Sequence, residues 1–185
     1  MIVAVLCTGP SLTQADVDYC RGRCKVVAVS DAIYMAPWAD ALVSYDKGWW
    51  WAHKPEYAGP KYHCHVEKIE GVKMFEPRPG NSGTLGLAVA AKMNPEKIIL
   101  LGADLKGTHY FGPHTKASLR NSSKTQFGVM KKQFARMKHL PDVVNCSPDS
   151  ELECFRKGDL RGELGEAAQE CFGAFAKTNK SLGLL

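Results

Sequence analysis

Asp104, His109, Tyr110 and His114 stand close together in the run GADLKGTHYFGPH, residues 102–114. A histidine in a polar loop can accept a proton near neutral pH, because its ordinary pKa is about 6.5. Two histidines in a Gly-rich loop also have the ligand type a metal would use, and the simplest alternative for either is a solvated surface ring. Asp31 and Asp46 each close an apolar run, VVAVS and ALVSY. An acid at that position can contact a ribose, a base amino group or a metal, and it can equally cap the helix that follows. Thr8, Gly9 and Ser11 follow the first apolar run and offer hydroxyls and a close backbone approach to a phosphate or ribose, or form an ordinary turn with a serine cap. Asn81, Ser82, Gly83 and Thr84 precede an Ala/Leu segment, where they can cap a helix and leave N–H groups free for an anion. Arg78, just before them, can pair with a phosphate or carboxylate, or simply remain solvated.

These residues need elements to position them. Ile2–Cys7, Val26–Ser30, Ala41–Tyr45, Lys61–Val66, Val72–Phe75, Lys97–Leu101 and Val143–Cys146 read as strands. Lys97–Leu101 is a continuous apolar run, the pattern of a central parallel strand covered on both faces. Helices are expected from Ser11 or Thr13 to about Cys20, over Ala32–Met35, from Lys47 to His53, over Leu85–Met93 and over 125–140. In the last of these, Phe127, Met130, Phe134 and Met137 recur at helical spacing and are expected in the core. Of the adjacent tryptophans 49, 50 and 51, one or two belong to the core and one can line a pocket. Strands alternating with helices predict a single α/β domain over 1–160, three-layered and Rossmann-like, with a mainly parallel sheet. Residues 161–185 read as a C-terminal helix or tail.

Composition narrows the class. A net charge of +5 is mildly basic and suits an anionic small molecule better than nucleic acid alone. There is no Gly-x-Gly-x-x-Gly and no Gly-Lys-Ser/Thr phosphate loop, which argues against a standard dinucleotide site or Walker-type ATPase. The odd number of cysteines and the lack of a Cys-x-x-Cys pair, of a leader-like start and of a long apolar run point to a cytoplasmic protein with reduced thiols and no membrane span. His63-Cys64-His65 on a strand would put the two rings on one face and the thiol on the other, which argues against a three-ligand zinc site. No metal site is expected from these groups.

Gly9-Pro10-Ser11-Leu12 resembles the Gly-Pro-Ser-Leu signature of bacterial lipooligosaccharide sialyltransferases and of the related archaeal-type 6-hydroxymethyl-7,8-dihydropterin pyrophosphokinases. The stretch SGTLGLAVAAKMNPEKIILLGADL is similar to their second signature, a small-residue loop and helix followed by a strand ending Gly-x-Asp. The segments THYFGPHT and VVNCSPDSELECF also resemble phage and prophage proteins of this group. The resemblance implies that Gly9 and Ser11 hold nucleotide phosphate or ribose, that Asp31 stands near the donor and that Ser82, Gly83 and Thr84 meet the nucleotide. It further implies that Arg78 contacts substrate and that Asp104 is the family's strand-end acid.

Three functions follow as expectations. The first is a nucleotide-dependent transferase, foremost a glycosyltransferase with a CMP-type nucleotide sugar as donor and a small-molecule or glycan acceptor. In it His109 or His114 is the base and Tyr110 donates to the leaving phosphate, Thr8 joins the nucleotide site, and Asp46 lies with Arg78 on the substrate side. The second is pyrophosphoryl transfer from ATP to a small hydroxymethyl acceptor, with magnesium on Asp46 or Asp104. The third is a non-catalytic nucleotide- or nucleic-acid-binding phage accessory protein. A homo-oligomer is compatible with all three.

Overall fold

The computed structural model describes residues 1–116, 118–140 and 142–165. The most apolar runs become its central strands. β1 (Ile2–Leu6), β2 (Lys25–Val29) and β3 (Ala41–Val43) come first, then the short β4 (Lys61–His63) and β5 (Lys73–Met74), then β6 (Lys97–Leu101), β7 (Asp142–Asn145) and β8 (Arg156–Lys157). They form one sheet of eight strands in the order β5-β4-β3-β2-β1-β6-β7-β8, and every pairing is parallel. Parallel neighbours need crossovers, and helices supply most of them, while β4–β5 and β7–β8 are joined by loops. α1 (Gln14–Cys20) joins β1 to β2, a short 3-10 helix (Ser30–Tyr34) follows β2, and α2 (Lys47–His53) follows β3. α3 (Ser82–Ala91) enters β6, α4 (Lys124–Ala135) enters β7, and α5 (Leu160–Leu164) follows β8.

Strand alternation sorts the core into two layers. Ala4, Leu6, Ile99 and Leu101 face α1, the 3-10 helix and α2, packing with Val17, Ile33, Trp49 and Trp50. Val3, Val5, Ile98 and Leu100 face the other way, onto Leu85, Leu87 and Val89 of α3 and Phe134 of α4. A fully buried Leu or Val contributes about 1.5–3 kcal/mol, so these two layers carry the fold. α3 comes very close to the sheet at Gly86, where an added Cβ would lie 2.7 Å from Val5 Cγ1. The architecture is therefore a three-layer, Rossmann-like α/β fold with an all-parallel sheet.

The chain leaves β1 towards β2 on one side and later returns to β6 on the other. β1 and β6 are thus the strands between which the sheet order reverses, and the crevice outside the carboxyl ends of such a pair is the usual ligand position in open α/β sheets.

Local details differ from the pattern-based expectation. Thr13 rather than Ser11 caps α1, accepting from Asp16 N at 3.2 Å. α3 begins three residues earlier than the Ala/Leu run suggests, because Asn81 and Thr84 form a reciprocal capping box. β4 stops at His63, so strand alternation does not extend to His65, and His63 and Cys64 are both buried. α4 stops at Ala135, short of Pro141, and of its apolar stripe only Phe134 is fully in the core. The two-residue β8 has no apolar signature, since Arg156 and Lys157 are both exposed. The expected C-terminal helix or tail over 161–185 coincides at its start with α5, and residues 166–185 lie outside the described residues.

Candidate functional site

The crevice is floored by two turns that bond to each other. Gly9 N donates to Gly102 O at 2.8 Å, just beyond the regular β1–β6 ladder. Asp104, 2% exposed, turns its Oδ2 towards Ser11, whose N–H donates at 3.1 Å and whose hydroxyl donates at 2.9 Å. Gly9 admits this carboxylate because it has no side chain, and a Cβ there would stand 2.1 Å from Asp104 Oδ2. The β6 turn is also held from behind, by Ala103 N to Ser147 Oγ at 2.8 Å and Ser150 Oγ to Ala103 O at 2.6 Å. Burial, with the Asp104 charge adding to it, pushes the Cys7 thiol up to about 12, which keeps it protonated.

Above this floor lies a cleft of about 590 Å³, a size suited to a small-molecule ligand. The opening of α3 forms one wall. Ser82 and Gly83 line the cleft, and among the described residues their N–H groups make no hydrogen bond. Thr84 N is taken by Asn81 Oδ1 at 3.0 Å. Ser82 Oγ accepts from Tyr45 N at 2.9 Å, which ties the helix start to the end of β3. Two free N–H groups at the positive end of a helix favour an anion. Lys106 and Arg120 stand on the same cleft, and neither joins an ion pair among the described residues.

The loop from Lys106 to Ser123 supplies the histidines. His109 Nδ1 lies 2.9 Å from Thr8 Oγ1, and its ring stacks on Phe111 at 4.9 Å. The His114 ring centroid is 4.4 Å away. Burial holds the His109 pKa below the ordinary histidine value. His114 pushes the same way, while Asp31 and Thr8 oppose it. Burial thus favours the neutral form of the His109 ring, which lines the cleft. In the tautomer that donates Nδ1–H to Thr8 Oγ1, Nε2 keeps a lone pair that can accept a proton. The loop is pinned at several points: Tyr110 N donates to Thr8 O at 2.9 Å, Lys116 Nζ donates to Ala52 O at 2.9 Å, and His114 and Asn121 bond reciprocally.

Asp31 has a structural environment of its own. Its Oδ2 accepts from Trp49 Nε1 at 2.8 Å, and its Oδ1 lies 3.6 Å from His53 Nδ1. His53 stacks on Trp49 at 5.0 Å, and its Nδ1 lies 2.9 Å from the Tyr34 hydroxyl. Burial lowers the His53 pKa against the pull of Asp31. Asp46 accepts from Gly48 N at 2.8 Å as the cap of α2.

Of the residues expected in the site, the fold brings Thr8, Gly9, Asp31, Asp46, Ser82, Gly83, Asp104, His109 and His114 to one cleft. It does not bring Ser11, Thr84, Tyr110 and Arg78 to that lining. Ser11 is engaged by Asp104, and Thr84 is buried in the capping box. The Tyr110 hydroxyl donates to Asp31 O at 2.8 Å and is pushed up to about 12 by burial and Asp31. Arg78 is exposed beside Glu76, at 3.9 Å. Trp49 is the tryptophan that lines the cleft. Lys106, Arg120, Phe127 and Met130 join it without any motif to mark them. Only the half-apolar face of α4 signalled the last two, and that pattern is shared by any core helix.

The strand-end carboxylates Asp31 and Asp104 each already accept from N–H or O–H donors. Among the described residues no three His, Cys, Asp or Glu side chains are grouped as a protein-held metal would require. No helix among them is long and apolar enough to cross a membrane. No protein-family model, curated protein or solved structure matches the chain.

Proposed function

We propose that the chain is a nucleotide-dependent transferase, foremost a glycosyltransferase that uses a CMP-type nucleotide sugar. The observation that supports this reading is the meeting, in one cleft, of the α3 opening, of Lys106 and Arg120, which form no ion pair among the described residues, and of His109, whose pKa burial holds down. In this reading the nucleotide phosphate lies against the Ser82 and Gly83 N–H groups, and the two cations stabilise the charge it gains on leaving. His109 Nε2 takes the proton of the acceptor hydroxyl, with Thr8 fixing the ring. Tyr110 and Asp104 position these groups, and no step passes through a metal. The likeness of Gly9-Pro10-Ser11-Leu12 and of the Gly102–Asp104 strand end to the sialyltransferase-like group points the same way.

The test is thermal stability with CMP, UDP, GDP, ADP and ATP, each with and without magnesium. CMP at about 100 times its dissociation constant should stabilise the fold by about 2.7 kcal/mol, equally with and without magnesium. A response confined to magnesium-ATP overturns glycosyl transfer in favour of pyrophosphoryl transfer. No nucleotide response, together with salt-sensitive binding of random DNA, replaces both with a nucleic-acid binder.

A further inference from the structure

We infer that the Phe127–Met130 face of α4 is the nucleobase subsite of the cleft, where an aromatic ring is held by its flat faces. This rests on the nucleotide-binding reading above and specifies how the base is recognised. Three features of the cleft carry it.

The first is the fate of the α4 stripe. Phe127, Met130 and Phe134 follow one another at helical spacing along a single side of the helix. Phe134 is 2% exposed and packs in the core against Gly83 and edge-on to Phe155. One and two turns nearer the start of α4, Met130 and Phe127 leave the core and line the cleft, half-buried. The stripe runs about 10 Å from Phe134 to Phe127, at ~1.5 Å per residue. It therefore begins beside the α3 opening and extends away from it.

The second is charge. Lys106 and Arg120 line the same cleft without acidic partners among the described residues. An apolar wall and cations on one cleft fit a ligand that is both flat and anionic. A nucleotide meets that description, whereas a plain lipid or a neutral sugar meets only half of it. The third is the polar edge of the wall. Gln126 Oε1 accepts from Ser123 N at 2.7 Å in the α4 capping box, and its Nε2 makes no bond among the described residues. That amide is left to meet the edge of a ring lying on Phe127. Stacking on an aromatic side chain and a polarizable thioether tolerates any base face, so the edge contact is where one base would be preferred.

The experiment is calorimetric titration of the full chain with CMP and with ribose 5-phosphate, which has the phosphate and sugar but no base. The wild type should bind CMP more tightly than ribose 5-phosphate. Phe127→Ala should weaken CMP roughly 5- to 150-fold, the range for losing one base–aromatic stack, and leave ribose 5-phosphate unchanged. Phe127→Tyr should retain CMP binding, which separates a lost stack from a damaged fold. If Phe127→Ala weakens both ligands equally, or neither, the subsite assignment is overturned while nucleotide binding stands. If the wild type binds ribose 5-phosphate and CMP alike, the assignment also fails alone. If it binds neither, the CMP-type nucleotide reading fails and takes the subsite with it. Sedimentation completes the test: a wild-type dimer that Phe127→Ala converts to monomer would make the stripe a contact between copies and overturn the assignment.

Discussion

The Thr8–Leu12 turn and the Lys106–Ser123 loop face the same cleft but are held in different ways. The turn is fastened by its backbone and by a buried acid. Gly9 N reaches Gly102 O, and Ser11 gives both its N–H and its hydroxyl to Asp104. The loop is suspended from separated points, through Tyr110 on Asp31 O, Lys116 on Ala52 O, and Leu119 in the core. Around those points it presents His109, His114, Lys106 and Arg120 to the cleft. The turn that looks most like a phosphate-binding motif has thus committed its donors to joining two strands. The loop, with no motif of comparable regularity, carries the groups still able to titrate or bind.

This contrast can be tested from either side. The largest effect is expected in the loop. If His109 is the base, His109→Gln should lower turnover about 10²- to 10⁴-fold, while urea denaturation shows a stability change within about 1 kcal/mol, the scale of one hydrogen bond. Full turnover in this variant would leave the loop without its assigned chemistry. In the turn the balance should reverse. Gly9→Ala forces a Cβ to 2.1 Å from Asp104 Oδ2 and 2.5 Å from Gly102 O, and a backbone oxygen has little room to give way. A loss of about 3 kcal/mol in urea unfolding is expected, and an unchanged midpoint would show that the turn is not the rigid partner.

The smallest effect is a shift of pH dependence. His114 helps to hold the His109 pKa down. The active base is the neutral ring, so the acid limb of the rate profile should fall below the ordinary histidine value of about 6.5. His114→Gln removes one depressing neighbour and should move that limb upward. A limb that stays put or moves down would separate the two rings electrostatically and weaken the picture of the loop as one coupled unit.

Much of the framework was legible. Lys97–Leu101 could only be a strand covered on both faces, and it is β6 at the centre of the sheet. Asn81 and Thr84 announced a helix start, and they form one. The clustering of Asp31, Asp104 and His109 at a ligand-side end was also readable, because all follow strands that run in the same direction. What could not be read is how each polar side chain would be used. Ser11, Thr84 and Tyr110 have the right chemistry for a phosphate site. In the fold their hydroxyls bond to Asp104, to the α3 cap and to Asp31 O.

The sequence by itself determined the α/β class, the run of parallel strands and the end of the sheet to which Asp31 and Asp104 come. Those follow from local periodicity and from turn and capping residues, which act over a few positions. Only the tertiary structure decided which groups remain free. Periodicity shows that Phe127, Met130 and Phe134 share one side of a helix, but not where the protein facing that side stops. Phe134 is buried in the core at the edge of the cleft, whereas Phe127 is half-buried on the cleft wall. The physical reason is that burial and hydrogen-bond satisfaction depend on partners far away in the chain, such as Asp104 for Ser11 or Gly83 for Phe134, and these meet only once the sheet order brings their strands together.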